Sequence, residues 1–110
     1  MSIFQKIIDR QIPANIVHED DRSLAFRDIH PQAPVHVLII PKKPIEKLSD
    51  MKEEDRELLG HLFLVAAQVA VREKLTDYRV VINNGAGAGQ SVFHLHLHLL
   101  GGRGLGWPPG

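Results

Sequence analysis

The chain has no cysteine, which excludes a disulfide framework and any thiolate metal centre. The same absence is permissive of a reducing compartment, and a cytoplasmic location is the expectation. Neither sign of charge is in excess: 13 basic residues face 13 acidic ones. That balance gives no electrostatic case for binding duplex nucleic acid or an anionic membrane. No stretch approaches the roughly 20 consecutive apolar residues of a membrane span, and Met1 to Lys6 carry no signal-peptide pattern. Internal repeats and low-complexity segments are lacking too. At 110 residues the chain fits one domain, residues 1–110, with a real but modest core.

What is present centres on Ser91-Val92-Phe93-His94-Leu95-His96-Leu97-His98-Leu99-Leu100. Polar and apolar residues alternate from His94 to Leu99, the period of a half-buried strand. That period sends His94, His96 and His98 to one face and Leu95, Leu97 and Leu99 to the other. Just upstream, Asn83-Asn84-Gly85-Ala86-Gly87-Ala88-Gly89-Gln90 has almost no side-chain bulk, which suggests a loop whose backbone approaches a ligand closely.

The remaining elements follow from periodicity and punctuation. Ser2 caps a short helix whose apolar face is Ile3, Phe4, Ile7 and Ile8, ended by Pro13. Residues 15–20 and 23–29 read as the arms of a hairpin around the polar turn Asp20-Asp21-Arg22-Ser23. Val35 to Ile40 reads as a central strand, and Tyr78 to Asn83 as another. Between them a long helix is predicted from a Ser49 N-cap to about Lys74. Its apolar arc is wider than one sheet face needs, which fits either a well-buried helix or a homodimer contact. The tail, Gly101 to Gly110, cannot be helix. It carries the sole tryptophan, Trp107, which docks on its own domain or on a partner chain. Helices and strands do not alternate regularly, so the fold class is α+β with a largely antiparallel sheet.

Three chemistries could use the histidine strand. A zinc ion can be held by histidines two apart, but no acidic or thiolate residue lies near the strand. Phosphate chemistry needs neutral donors and an anion nest, which imidazoles, Ser91, Asn83 and the glycine loop would supply, with one imidazole free to attack phosphorus. The third option is structural, with the histidines as satisfied, half-buried residues.

The run His94-Leu95-His96-Leu97-His98-Leu99-Leu100 resembles the His-φ-His-φ-His-φ-φ signature of the histidine-triad (HIT) family of nucleotide-binding hydrolases. Ile3 to Ile8, the Glu19-Asp20-Asp21-Arg22 turn, Asp28-Ile29-His30-Pro31-Gln32-Ala33-Pro34, Pro41-Lys42-Lys43 and the ending Trp107-Pro108-Pro109-Gly110 resemble its Hint branch, the purine-nucleoside phosphoramidases.

The resemblance implies a HIT-like fold, a five-stranded antiparallel sheet with one short and one long helix. It implies a homodimer, with a purine nucleotide as the ligand and neither metal nor other cofactor. It further implies that His96 attacks the α-phosphorus of a nucleoside 5′-phosphoramidate and forms a nucleotidyl-histidine intermediate that water releases. His98 and Ser91 would bond phosphate oxygens, and Asn83, Gly89 and Gln90 would complete the cradle. His94 and His36 would orient the triad. Asp28 would accept from the ribose hydroxyls, and Phe4, Ile7, Phe26 and Ile29 would line the base slot. Trp107 would approach the partner's site. The rival expectation is a nucleotide-binding sensor or interaction scaffold with little turnover.

Overall fold

Five short strands and two α-helices, joined by turns and short 3₁₀ segments, make up the fold of the computed structural model, which describes residues 1–110. Helix α1 (Ile3–Ile8) starts where the Ser2 hydroxyl accepts from the Gln5 amide at 3.1 Å. It stops at Ile8, well before Pro13. Arg10 takes a left-handed φ of 60°, and the Gln11 amide reaches back to the Lys6 carbonyl at 2.9 Å. That closure ends the helix locally without help from proline.

Strands β1 (Ile16–Glu19) and β2 (Ser23–Arg27) form the predicted hairpin. Its turn is built by Asp20, whose carboxylate accepts from the Arg22 and Ser23 amides. The same carboxylate takes the Nε2 atoms of both His18 and His61 at 2.8 Å, tying the turn to the long helix. Asp28 and Ile29 lie beyond the end of β2, in a turn. Strand β3 (Val35–Pro41) is central, as its apolar run predicts, and the sheet order is β1-β2-β3-β5-β4 with every pairing antiparallel. Strand β4 (Tyr78–Val81) forms one edge.

The long helix α2 runs from Arg56 to Arg72 and does not begin at Ser49. Two 3₁₀ turns, Leu48–Asp50 and Glu53–Asp55, precede it, with Met51 and Lys52 extended between them. The Ser49 amide donates to the Asn84 side chain, and Asp55 is buried against Lys43 and the Lys52 amide. These tertiary contacts override the local capping signal.

Strand β5 covers Leu97–Gly101, shorter than the alternation of sequence implies. Its pairing with β3 starts at Ile39↔Leu97. Beyond that point β3 reaches Pro41, which has no N–H to extend a ladder. The Leu95 amide instead donates to Ile45, at 2.8 Å. Only His98 therefore stands on the strand proper, while His94 and His96 lie on the segment that leads into it. The alternation of faces still holds. Leu95, Leu97 and Leu99 are fully buried with Leu62, Val65 and Val69 of α2, and Val37 and Ile39 of β3 join them. The opposite face packs Leu24, Phe26, Leu38 and Ile40 against Phe4 and Ile7 of α1.

Candidate active site

Helix α1 is short and covers only part of its sheet face. Beside it lies a cavity of about 360 Å³, lined on its apolar side by Phe4, Ile7, Phe26 and Ile29 and on its polar side by Asp28, Ser91, His96 and His98. A larger hollow of about 550 Å³ by β4 and the tail is more polar and contains no imidazole. The chemistry therefore points to the smaller cavity.

Hydrogen bonds fix the state of each ring. The Nδ1 of His96 lies 2.8 Å from the His94 carbonyl. A carbonyl only accepts, so Nδ1 carries the proton and Nε2 keeps its lone pair. His94 is fixed in the opposite sense, with Nε2–H donating to the Pro41 carbonyl at 2.7 Å. Phe4 sets its edge against the His96 ring, with centroids 5.0 Å apart, and the His96 and His98 centroids are 4.9 Å apart. The Nδ1 of His98 lies 2.9 Å from the Nε2 of His36. The other nitrogen of His98, Nε2, is buried without a partner in the chain.

All four rings are held below the ordinary histidine range, chiefly by burial, which disfavours the charged form. His98 is pushed down to about 4, by burial first and then by the neighbouring His96 and His36. Asp28 opposes this only in part. At neutral pH the row is uncharged. One free lone pair, on His96, and one buried ring nitrogen without a partner, on His98, therefore belong to residues that line the slot.

The structure brings eight of the sequence-predicted residues to the cavity: Phe4, Ile7, Phe26, Asp28, Ile29, Ser91, His96 and His98. His36 and His94 stand behind, reaching it through His98 and through the backbone beside His96. Asn83, Gly89 and Gln90 do not line it. Gln90 is buried and its side chain is occupied, accepting from the Gly85 amide in its own loop and donating to the Val92 carbonyl and to the Glu46 carbonyl of a distant connector. The amides of Ala88, Gly89 and Gln90 turn inward to Gly85 and Ala86 carbonyls, so they form no outward-facing nest. Gly89 has a φ of +95° and lies against the Asn83 side chain, a conformation that favours glycine. The loop's composition thus serves its own fold. Trp107 is 83% exposed, so its ring is not buried in its own domain. Sequence reasoning missed Val92, Ile12 and Pro13 in the wall, and above all the Gln32 amide, which donates to His36 Nδ1 at 3.0 Å.

Asp28, His36 and His98 place ligand-type atoms within 4.8 Å of one another. They do not fit a zinc ion as arranged. Both nitrogens of His36 are engaged, and its Nε2 is 2.9 Å from His98 Nδ1, a hydrogen-bond distance. Two ligands on a tetrahedral zinc at ~2.1 Å stand about 3.4 Å apart.

The comparisons with known proteins agree with this architecture. A HIT-like protein of Synechocystis sp. is 63% identical over 110 residues, covering 99% of this chain and 96% of that one. A maize protein named as a 14 kDa zinc-binding protein is 54% identical, over 99% of this chain and 88% of its own. The crystal structure of a HIT family hydrolase from Legionella pneumophila superposes with a TM-score of 0.97 at 51% identity, covering 100% of both chains. A histidine triad nucleotide-binding protein from Candida albicans gives 0.85 at 35% identity, over 98% of this chain and 83% of that one. The family model described as HIT domain matches residues 9–105, and with it the fold and the histidine row place this chain in the HIT domain family.

Proposed function

We propose that the protein hydrolyses the P–N bond of purine nucleoside 5′-phosphoramidates, as a member of the Hint branch. The observation that carries this reading is the paired state of His96 and His98. One ring offers a lone pair to the cavity, and the other holds a buried nitrogen without a partner beside it. A nucleophile and a neutral donor 4.9 Å apart between ring centres suit in-line attack on phosphorus.

In the first step His96 Nε2 bonds to the α-phosphorus, the P–N bond breaks, and the amine departs with a proton taken up from solvent. Water then attacks the nucleotidyl-His96 and gives a proton back to solvent, the His96 N–P bond breaks, and the nucleoside monophosphate leaves. His98 and Ser91 hold phosphate oxygens. Asp28, at the edge of the slot, accepts from the ribose hydroxyls. Phe4, Ile7, Phe26 and Ile29 take the purine between apolar walls that discriminate adenine from guanine weakly. Asn83, Gly89 and Gln90 do not line the cavity and are given no phosphate contact in this reading.

A homodimer fits the exposed side of the molecule. Phe63, Leu64 and Val71 of α2 are 44%, 63% and 75% exposed, and Tyr78 on the edge strand is 41% exposed. An unpaired edge beside apolar side chains suits a second copy, whose tail would bring Trp107 toward this site. The absence of cysteine suits a reducing cytoplasm.

The test is incubation with adenosine 5′-monophosphoramidate in the presence of a chelator. Release of AMP is expected. Binding without release would replace the hydrolase with a nucleotide sensor, and activity restored only by zinc would overturn the metal-free chemistry.

A further inference from the structure

We propose that the backbone amide of Gln32 sets the proton positions across His36 and His98, so that His98 carries its proton on Nε2, the buried nitrogen that has no partner in the chain. His36 is then a positioning residue that acts through His98. This rests on the hydrolase reading only for its kinetic consequence.

An amide N–H can only donate. The Gln32 amide points at His36 Nδ1 from 3.0 Å, so that nitrogen is unprotonated, and a neutral imidazole must carry its proton on Nε2. His36 Nε2–H donates to His98 Nδ1 at 2.9 Å. His98 in turn must carry its proton on Nε2, the nitrogen without a partner in the chain. Asp28 reinforces the first link, because its Oδ2 lies 3.5 Å from His36 Nε2. The opposite arrangement would set two N–H groups against each other at Gln32 and aim a carboxylate at a lone pair.

The loop that carries the amide is braced from both sides. Arg103 Nε donates to the Gln32 carbonyl, and the Gln32 side chain donates to the His30 carbonyl, each at 3.0 Å. The Asp28 amide holds the His36 carbonyl, also at 3.0 Å. Gly102, at a φ of +90°, packs against Pro34 so closely that an added Cβ would come within 2.9 Å of the Pro34 Cβ. Such bracing is what a fixed tautomer requires, since a mobile amide would let the proton change nitrogens.

Ring-nitrogen NMR of the whole ¹⁵N-histidine-labelled protein at pH 7 tests the assignment without any variant. The expected spectrum shows His98 and His36 protonated at Nε2 and His96 at Nδ1. His98 or His36 protonated at Nδ1 would overturn it. Next, His36→Ala removes the donor to His98, whereas His36→Gln keeps an N–H near the same place. The alanine variant is expected to spread the His98 proton over both nitrogens and to lower kcat about 10²-fold. Its KM should shift by less than ~3-fold, and the glutamine variant should recover most of the loss. An unchanged His98 tautomer in His36→Ala would overturn the relay, as would failure of His36→Gln to recover. Gln32→Pro, which deletes the amide proton, should alter the His36 tautomer, while Gln32→Ala, which keeps it, should not; equal spectra would contradict the assignment. The two readings fail separately. Expected tautomers without AMP release remove the hydrolase and leave the relay, and AMP release with inverted tautomers removes the relay alone.

Discussion

The two faces of the sheet are finished differently, although β3 and β5 contribute to both. Toward α2, eleven side chains interlock at 0 to 1% exposure, with Leu95, Leu97 and Leu99 at the centre. Toward α1 only six cluster, at 0 to 7% exposure, because a six-residue helix cannot cover a five-stranded sheet. The uncovered remainder is the cavity. The strand period makes the division possible, since one face of β5 can be wholly committed to stability while the other carries imidazoles. The contrast is between a face whose buried core cluster is wholly apolar and one where polar atoms are present, buried and mostly paired. In the proposed function, activity depends on the second face and the folded state that carries it depends on the first.

The largest expected effect separates the two. His96→Ala should lower turnover by about 10⁴-fold or more while the chain still unfolds cooperatively, its urea-derived stability reduced by under ~2 kcal/mol. Leu97→Ala, one residue along, should do the reverse. Removing a fully buried leucine costs about 3–4 kcal/mol, read as a lower urea midpoint, with kcat per folded molecule nearly unchanged. If both variants lost stability equally, the division of the faces would be wrong.

Proton linkage probes the open face. His36, His94, His96 and His98 all lie below the unfolded value of 6.5 in the folded state. The unfolded chain therefore takes up protons first as pH falls. Stability should be fully present above about pH 6.5, then decline as pH drops toward the folded value of His98, about 4. Urea midpoints measured between those limits check this, and a midpoint that rose on acidification would contradict it. The smallest effect sits on the closed side. Lys74, past the end of α2, has a φ of 61°, so Lys74→Gly should raise stability by about 1 kcal/mol, a few degrees in Tm.

Much of this contrast could be read from residue types. The apolar run at Val35–Ile40 and the alternation around His98 announce the strands and divide their faces, because burial on a pleated sheet is a period-two property. The slot residues Phe4, Ile7 and Phe26 were legible through the family resemblance, where periodicity alone gives only core. Other features depend on tertiary partners that leave no local trace. Helix α2 starts at Arg56 because Asp55 is drawn to Lys43, which lies 12 residues back in the chain. Gln90 resembles a ligand contact in sequence, yet its side chain bonds Gly85 and Val92 and ties the glycine loop to Glu46, 44 residues back. The Gln32 contact is least legible of all, because every residue except proline brings a backbone N–H and no residue type marks where it points.

The most direct test of the central claim is covalent trapping. Rapid mixing with adenosine 5′-monophosphoramidate, a quench in alkaline denaturant and mass spectrometry of the peptides should show one nucleotidyl group per chain. It should lie on the peptide bearing His96 and be absent from His96→Ala. An adduct on any other residue, or undiminished turnover by His96→Ala, would contradict the account.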